Sequence, residues 1–389
     1  MSVKRSGGPT CSRLALIGGL GHGIAHRRAI HQLQRAGRVR LVAIANRRPV
    51  PPVEDAPVDG LEIFDDYRRM LADVKPDVVV IATPPHTHHA IALDAAAMTQ
   101  GILVEKPPVV SMAELVELTA ALHRYGTVCQ VGFQALASPA LSTVRGAVAD
   151  GAVGSVTALS HAGAWWRPDG YYRRTPWAGR RMLDGRVVAD GAVANQFAHA
   201  LMQALGLARA LTGAADPAHI AVEQYRTRPI EVDDTSCVRV LLRNGLSITM
   251  AVTLAAEGFI HGEIAVRGTN DDIHLDFPTD RLRLPHDGQW RQMPGRQGLL
   301  ANLLDHLDDS RVPLAAALDD VAPFVSILDA LNHAPEPTDI HADYLAPHPT
   351  GDGRVLVDAV ELVREAAEQR SLFSEMALPW ARAPWTAQI

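Results

Sequence analysis

The sequence of 389 residues contains little cysteine, few aromatic residues and no long apolar run. Its three cysteines, Cys11, Cys129 and Cys237, lie far apart, so they predict neither a disulfide framework nor a Cys-x-x-Cys metal site. The apolar stretch from Leu14 to Ile17 is too short for a signal peptide, and no run approaches the length of a membrane span. These absences favour a protein of the reduced cytoplasm.

Positive charge is also in deficit, because 43 acidic residues outnumber 37 lysines and arginines and the formal net charge is −6. A surface of this sign disfavours nucleic acid and anionic membranes as partners, although a local basic patch is compatible with it. Hydrophobic residues, in contrast, make up 47% of the chain. At this length they predict two domains, each with a sizeable core.

Residues 77 to 108, DVVVIATPPHTHHAIALDAAAMTQGILVEKPP, have the pattern of a strand, a helix and a second strand. Val78 to Ala82 is a short β-branched run without a polar face, which is typical of a strand in a parallel sheet covered on both sides. Two prolines end this run, His89 to Met98 is Ala-rich and favours helix, and Ile102 to Val104 is again apolar. This order predicts a βαβ unit.

Ligands of parallel sheets bind beyond the carboxyl ends of the strands, and two turns lie there. The first contains Thr83, Pro84 and His88, and the second contains Glu105 and Lys106. We expect all five residues to border a cofactor. A lysine at such a position can also be an ordinary solvated side chain. The histidines of the sequence HTHH have no cysteine or carboxylate at ligand spacing, so no metal site is predicted.

A glycine cluster lies between the first predicted strand, Leu14 to Ile17, and a helix starting near Ile24. Glycines in this place let the backbone approach a pyrophosphate and aim amide N–H groups at it. If the cluster is aligned with a GxGxxG motif from Gly18 to Gly23, the middle glycine is replaced by Leu20. We predict dinucleotide contacts from the four glycines of the cluster: Gly18, Gly19, Gly21 and Gly23.

The second predicted strand, Leu41 to Ala45, is followed by Asn46, Arg47 and Arg48. In a dinucleotide fold a carboxylate here bonds the 2′-hydroxyl of the adenosine ribose, whereas an arginine accommodates a 2′-phosphate. The carboxylate is absent and two arginines are present, so these three residues predict NADP in preference to NAD. A solvated basic turn is the alternative explanation of the two arginines.

The second half of the chain has a different pattern, in which β-branched segments follow one another with short turns between them. Arg243-Asn244-Gly245, for example, separates two such segments and is typical of a β-hairpin. Strands gathered in this way predict one large, mostly antiparallel open sheet beside helices. The predicted fold is therefore α/β, with a Rossmann dinucleotide-binding domain over residues 1–133 and an α+β substrate domain over residues 134–389.

The segments ATPPHTHHAIAL and ILVEKPP, which follow a glycine-rich turn and precede QVGF, resemble the Gfo/Idh/MocA family of glucose–fructose oxidoreductases and inositol dehydrogenases. The resemblance covers most of residues 13–134. It implies an NAD(P)-dependent oxidoreductase that transfers a hydride between the cofactor and a secondary alcohol or ketone of a sugar, cyclitol or related polyol. It also implies a homo-oligomer, a dimer or tetramer, formed through the sheet of the second domain.

Family members carry a D-x-x-x-H pair on a helix of the second domain, with the histidine as catalytic acid or base. His199 matches that histidine, while Asn195 stands where the aspartate is expected. The resemblance therefore implies that His199 takes the proton of the substrate hydroxyl. It also implies that Lys106 bonds the reacting oxygen. A structural histidine on a helix face is the alternative explanation of His199.

The segment before this helix is rich in aromatic residues and arginines. Aromatic faces pack on the C–H faces of sugars, and arginines bond hydroxyls, carboxylates or phosphates. We predict five substrate-binding residues in it: Trp165, Trp166, Tyr171, Tyr172 and Arg173. A loop held in place by its own aromatic side chains would have the same composition.

Two other functions are compatible with the sequence. One is a redox-neutral elimination or hydrolysis of a glycoside through transient oxidation, which would give product without net change in NAD(P)H. The other is a non-catalytic sensor of a sugar or dinucleotide, because fold resemblance does not decide function. The presence of Lys106 and His199 disfavours the sensor, and Asn195 favours it.

Overall fold

The computed structural model describes residues 11–285 and 287–389. The strands are β1 (Ser12–Ile17), β2 (Val39–Ala45), β3 (Glu62–Phe64), β4 (Val78–Ile81), β5 (Gly101–Val104), β6 (Val128–Val131), β7 (Val156–Trp166), β8 (Met182–Leu183), β9 (Arg186–Val187), β10 (Pro217–Arg226), β11 (Thr235–Leu242), β12 (Ser247–Thr253), β13 (Ala255–Gly268), β14 (Asp272–Asp276), β15 (Arg281–Arg283), β16 (Arg291–Gln292), β17 (Thr338–Asp339), β18 (Leu345–Pro347), β19 (Arg354–Leu356) and β20 (Trp385–Gln388).

The α-helices are α1 (Gly23–Arg35), α2 (Tyr67–Val74), α3 (His88–Ala96), α4 (Met112–Tyr125), α5 (Ala140–Ala149), α6 (Asp169–Arg173), α7 (Ala198–Thr212), α8 (Leu299–Asp308), α9 (Ala322–His333) and α10 (Ala359–Gln369). A π-helical turn spans Ala192–Gln196. Within the described ranges, no helix combines the length and the apolar character that a membrane crossing requires.

The chain forms two compact units. The first comprises the residues up to Val109, Ala113–Ala137 and Gln297–Val321, and the second comprises Val110–Met112, Ser138–Arg296 and Ala322–Ile389. The predicted division after residue 133 placed the segment 297–321 in the second domain. In the structure, the leucines of α8, which lies in this segment, instead join the core formed by β1, β2 and β4 of the first unit. The sequence shows that a helix has an apolar face, but it does not show which core that face will cover. Residues 1–10 of the predicted first domain lie outside the described residues.

The first unit is built on a parallel sheet with the strand order β3-β2-β1-β4-β5-β6. This is the order of a Rossmann fold, in which the direction of strand addition reverses beside β1. All four residues of β4 and all four of β5 are buried. Their unbroken apolar runs therefore have the predicted cause, since a central strand of such a sheet is covered on both faces.

The second unit contains a large mixed sheet with the order β16-β15-β14-β13-β7-β12-β11-β10-β17, and β20 pairs with β10 beside it. The pairs β7–β12 and β10–β17 are parallel, and the other pairs are antiparallel. On one face of β7, Gly163 allows Phe197 to approach, because a Cβ at Gly163 would lie 2.2 Å from the Phe197 ring. This face carries the π-helical turn that precedes α7.

The other face of this sheet is covered by the same chain. Small residues on the sheet, Ala162, Ala164 and Ala251, share a core with Ala359, Val363, Ala366 and Ala367 of α10 and with Phe373 and Trp380. Where α10 and the following segment lie, this face of the sheet is occupied by the same chain. Subunit contact through the sheet stays a prediction.

Candidate cofactor and substrate sites

The turn between β1 and α1 brings backbone segments into close approach. Gly18 has a φ of +95°, and a Cβ there would lie 2.4 Å from Ala82 O. A Cβ at Gly23 would lie 1.9 Å from Gly18 O, so both positions require glycine. Gly21, with a φ of +57°, faces open space. Because the amides of the first turn of α1 follow directly, the turn fits the pyrophosphate of a dinucleotide.

The side chain of Asn46 closes the end of β2 onto the glycine turn. Its Oδ1 accepts a hydrogen bond from Gly19 N at 3.1 Å, and its Nδ2 donates to Arg48 O at 2.6 Å. Arg47 and Arg48 are exposed, and neither forms an ion pair with a described carboxylate. Asn46 therefore shapes the turn, and the two guanidinium groups are available to a ligand.

Glu105 is the buried centre of a cluster that includes His22 of the glycine turn and His26 of α1. Its Oε1 lies 2.8 Å from His26 Nε2 and 3.3 Å from His22 Nε2. Although burial acts to raise the pKa of Glu105, the hydrogen bonds from both histidines hold that pKa well below its usual range. The hydrogen bond with Glu105 in turn raises the pKa of His22, against the opposing effect of burial. The carboxylate is thus charged at neutral pH.

His22 and His26 were not among the predicted site residues, although two histidines four residues apart at a helix start are a visible signal. In the described part of the chain, they and Glu105 form the one group of three or more His, Cys, Asp or Glu side chains whose donor atoms lie close enough to hold a metal ion, all within 4.8 Å. The hydrogen bonds to Glu105 already account for these distances. The cluster couples the glycine turn to the end of β5.

His88 joins the two strand-end turns from inside the unit. Its Nδ1 lies 2.7 Å from Pro107 O and its Nε2 lies 2.7 Å from Thr83 O. The residue is 1% exposed, and this burial lowers its pKa. His88 was predicted to contact the cofactor, but both ring nitrogens face backbone carbonyls. It holds the turns in position instead.

The other predicted residues of these turns are better placed for a ligand. Thr83, Pro84 and Lys106 are half-buried, and Thr83 Oγ1 accepts a hydrogen bond from Thr87 Oγ1 at 2.7 Å. Lys106 follows β5, and its backbone N donates to Glu105 Oε2 at 3.2 Å. Buried Glu105 therefore fixes the backbone at the start of this turn, at the carboxyl edge of the sheet where ligands of this fold bind.

A π-helical turn in the second unit carries Asn195. Phe197 N donates to Ala192 O at 2.8 Å, which is the five-residue bond of a π-helix. The α-helix α7 begins only at Ala198, so Asn195 and His199 lie on opposite sides of a break. The geometry of one continuous α-helix, in which residues four apart are neighbours, therefore does not apply to this pair.

Asn195 is bonded to a buried carboxylate that sequence analysis did not assign to the site. Its Nδ2 donates to Asp190 Oδ1 at 2.6 Å, and Asp190, 2% exposed, also accepts from Gly179 N at 2.7 Å. Because a carboxylate can only accept, the amide nitrogen of Asn195 must face Asp190. The amide oxygen is then the atom that can serve another donor.

His199 lies in the first turn of α7, where its ring stacks on Phe277 with centroids 5.7 Å apart. The start of the π-helical turn is held by Asp233, which accepts a hydrogen bond from Ala192 N at 3.0 Å. A Cβ on Gly191 would lie 2.1 Å from an Asp233 oxygen, so the chain needs glycine there. The local fold that presents His199 thus depends on a second buried carboxylate.

The five predicted substrate-binding residues separate into two groups. Trp165 packs on Phe197 at 4.4 Å between centroids, and the Tyr171 hydroxyl accepts from Gln196 Nε2 at 3.0 Å, so these two lie beside the π-helical turn. The other three residues contact Arg228 or Asp352 instead of the π-helical turn. Trp166 and Tyr172 flank the guanidinium of Arg228 at 5.3 and 5.2 Å, and exposed Arg173 lies 3.7 Å from Asp352.

Two comparisons with protein families match this architecture. Residues 13–133 match the family described as "Oxidoreductase family, NAD-binding Rossmann fold". Residues 141–274 match the family described as "GFO/IDH/MocA C-terminal domain". The two matches follow one another along the chain, correspond to its two kinds of sheet and together take in more than half of its residues.

Curated relatives resemble parts of the chain. An inositol 2-dehydrogenase of Rubrobacter xylanophilus is 32% identical over 145 residues, which are 36% of this chain and 41% of that protein. A scyllo-inositol 2-dehydrogenase (NAD(+)) of Bacillus subtilis is 32% identical over 96 residues, which are 24% of this chain and 28% of that protein. The chain thus spans less than half the length of each of these relatives.

Among solved structures, the WlbA dehydrogenase of Bordetella pertussis, in complex with NADH and UDP-GlcNAcA, has a TM-score of 0.69 and 21% sequence identity. The likeness covers 83% of this chain and 96% of that one. At this identity the comparison establishes the fold, and it agrees with the strand orders described above.

Proposed function

Because the chain belongs to the Gfo/Idh/MocA family of NAD-binding oxidoreductases, we propose that it transfers a hydride between a nicotinamide cofactor and a secondary alcohol or ketone of a sugar, cyclitol or related polyol. The observation that carries the proposal is the meeting of two turns at the carboxyl edge of the parallel sheet. The glycine turn follows β1, and Lys106 follows β5, on either side of β4. Relatives that act as inositol dehydrogenases support the polyol class.

Lys106 is proposed to bond the oxygen of the reacting carbon. An ammonium group there lowers the cost of the negative charge that develops on this oxygen as its proton leaves. Glu105 fixes the backbone of Lys106, and Glu105 is itself held by His22 and His26. Glu105 and the two histidines would therefore act on the reaction through the position of Lys106.

His199 is proposed to take the hydroxyl proton of the alcohol, or to return it in the reduction. The bound nicotinamide supplies the chemistry of hydride acceptance, and the protein supplies orientation and charge. Asn195 is proposed to act beside His199 as a neutral hydrogen-bonding group. The carboxylate of Asp190 orients this amide by accepting a hydrogen bond from it. A carboxyl group therefore lies next to Asn195.

We propose NADP(H) as the preferred cofactor within this NAD-binding fold. Arg47 and Arg48 follow β2, where the adenosine ribose binds in dinucleotide folds, and no carboxylate repels a 2′-phosphate there. We also propose, from three unpaired cysteines, that the protein works in the reduced cytoplasm.

The test is a panel of sugars and cyclitols assayed by NAD(P)H absorbance, with product analysis alongside, for wild type and His199→Ala. We expect net cofactor reduction by at least one polyol, and a loss of about 10² to 10⁴ in rate for the variant, the range for general-base catalysis. Product without net absorbance change would indicate redox-neutral glycoside chemistry instead. Ligand binding without any turnover would indicate a sensor.

A further inference from the structure

Five side chains beside the π-helical turn form a ladder in which aromatic rings and guanidinium groups alternate. The Arg167 guanidinium carbon lies 5.0 Å from the ring centre of Trp165 and 5.2 Å from that of Tyr171. The Arg174 guanidinium carbon lies 3.8 Å from the ring centre of Tyr171 and 5.8 Å from that of Trp177. Tyr171 therefore has a cation near its ring from two different arginines, at distances suited to cation–π attraction.

The two arginines of the ladder differ from their neighbours in having no carboxylate partner. Nearby Arg173, Arg180 and Arg228 each lie within 4 Å of a carboxylate, of Asp352, Glu231 and Asp234 respectively. Among the described residues, no ion pair is formed by Arg167 or Arg174. Within the described ranges, two positive charges thus share one aromatic ring without a paired carboxylate.

Several buried polar atoms around the ladder also have no hydrogen-bond partner in the described part of the chain. Arg167 Nη1 donates only to Trp166 O, at 3.2 Å, and Arg167 Nε is buried without a hydrogen bond. Gln196, which is 8% exposed, uses its Nε2 to bond the Tyr171 hydroxyl, while its buried Oε1 has no partner. The hydroxyl of Thr175, next to Arg174, is also buried and has no hydrogen-bond partner among the described residues. Buried polar atoms in this condition cost free energy unless a ligand or water bonds them.

Gln196 connects the ladder to the proposed reaction centre of the second unit. It is the last residue of the π-helical turn, directly after Asn195 and three residues before His199. A ligand that reaches Tyr171 and Gln196 is therefore beside the residues proposed to handle the proton.

We infer that the ladder is an anion subsite, and that the substrate is an acidic polyol carrying a carboxylate or phosphate group away from the carbon that reacts. The planar forks of Arg167 and Arg174 suit anionic oxygens, with charge-assisted hydrogen bonds about twice as strong as neutral ones. The buried Oε1 of Gln196 and the hydroxyl of Thr175 would serve the sugar hydroxyls. This assignment rests on the proposed function and narrows its substrate class.

The test measures binding by tryptophan fluorescence, since Trp165 and Trp177 belong to the ladder. Matched neutral and anionic probes are glucose with glucuronate and glucose 6-phosphate, galactose with galacturonate, and myo-inositol with inositol 1-phosphate, each with NAD(P)H bound. We expect an anionic member to bind about tenfold or more tightly than its neutral partner, as charged hydrogen bonds allow. The carboxylate and phosphate probes distinguish the two acid groups.

Arg167→Met and Arg174→Met should each remove this preference, whereas Arg180→Met should keep it. Arg180 is the matched control, because its exposed guanidinium belongs to the same segment but already pairs with Glu231. If a methionine variant unfolds, Arg167→Lys and Arg174→Lys keep the charge and should keep part of the preference. Equal binding of neutral and anionic probes by wild type, or a preference that survives in Arg167→Met and Arg174→Met, overturns the assignment.

Turnover by the same probes separates this result from the proposed function. Oxidation of neutral polyols without preference for acids leaves the dehydrogenase function standing and rejects the anion subsite. Arginine-dependent binding of acids without reduction or oxidation of the cofactor supports the subsite and rejects the dehydrogenase function.

Discussion

Asn195 donates a hydrogen bond from Nδ2 to Asp190 Oδ1 across 2.6 Å, so the carboxylate that the family pattern places at 195 has a counterpart five residues earlier. Asp190 is buried, and the backbone N–H of Gly179 is its second donor. A carboxyl group is therefore present beside Asn195, one side chain away from the position where the family pattern places it.

Asn195→Asp should destabilise the fold at neutral pH. The substitution would place two carboxylates within hydrogen-bond distance, where both cannot be ionised without large repulsion. The shared proton raises a carboxyl pKa above its unfolded value, so the loss should grow as pH rises above about 4 and shrink on acidification. We expect the free energy of unfolding at pH 7 to fall by about 1–3 kcal/mol, measured by urea denaturation.

Two further variants make this prediction specific. Asn195→Ala removes one donor to Asp190 without adding a second carboxylate, so its loss of stability should depend on pH less steeply than that of Asn195→Asp. The exchange Asp190→Asn with Asn195→Asp restores one carboxylate and one amide, and it should recover most of the stability. If Asn195→Asp alone is as stable as wild type at pH 7, the bond between residues 190 and 195 does not have the role described.

Lys106→Met should lower turnover by about a hundredfold or more, the scale of losing one donor to a developing oxyanion. Melting temperature and cofactor affinity should change little, because Lys106 lies at a strand end and adds little to the core. Steady-state kinetics with the best polyol of the panel gives the result. Lys75→Met, at the exposed C-cap of α2, is the matched control. If Lys106→Met turns over substrate at the wild-type rate, Lys106 is a surface residue without a role in the reaction.

The pair formed by His22 and Glu105 should make stability depend on pH. The pKa of His22 is raised by its hydrogen bond to Glu105. A raised histidine pKa gives stability that is present in full below the unfolded value of about 6.5 and lost as pH rises through the folded value. Glu105, with its depressed pKa, stays charged throughout this range. Thermal unfolding between pH 6 and 9 should therefore show a steeper decline for wild type than for His22→Asn.

The same imidazolium lies in the turn proposed to hold the pyrophosphate, so cofactor affinity should also weaken as pH rises. His31→Asn is the control, because His31 is on α1, the helix that follows His22, and its ring bonds Pro57 O instead of Glu105. It should follow wild type in both measurements. If His22→Asn has the same pH profile as wild type, the ion pair between His22 and Glu105 does not cause the pH dependence.

Arg47→Ala with Arg48→Ala should weaken NADP(H) binding and leave NAD(H) binding nearly unchanged. Each arginine can give a charge-assisted hydrogen bond to a 2′-phosphate, worth about 1.5–3 kcal/mol. Fluorescence titration of both cofactors in wild type and variant provides the comparison, with NAD(H) as the internal control. Equal affinities of wild type for the two cofactors would contradict the preference for NADP(H).

Ala366→Asp should show that α10 is an integral cover of the large sheet. Ala366 is fully buried in the core that α10 shares with β7 and β12, so an aspartate there would bury a charge without a partner. We expect a loss of about 3 kcal/mol or more in the free energy of unfolding. Glu368→Asp, on the exposed side of the same helix, should cost little. Equal stability of the two variants would mean that the helix is not held on the sheet.

The strong local patterns of the sequence were sufficient for the architecture and for the position of the turns at which the cofactor is proposed to bind. The unbroken apolar runs of β4 and β5, the glycine turn and the EKP turn each depend on neighbours in sequence, and all three lie where their patterns predict. The hairpin turns likewise predicted a large sheet, in which β13 extends from Ala255 to Gly268.

Other features depend on contacts between residues far apart in the chain, and only the tertiary structure decided them. The ring of His88 faces inward because Thr83 and Pro107 converge on it, and α8 joins the first unit because its leucines find that core. The π-helical turn, which separates Asn195 from α7, depends on Asp233 and on the space that Gly163 leaves for Phe197. Composition alone also could not distinguish Arg173, which has a carboxylate partner, from Arg167 and Arg174, which have none among the residues that the structure describes. Whether a charged side chain is paired depends on the distance to an opposite charge in the folded chain, and the sequence contains no local signal for that distance.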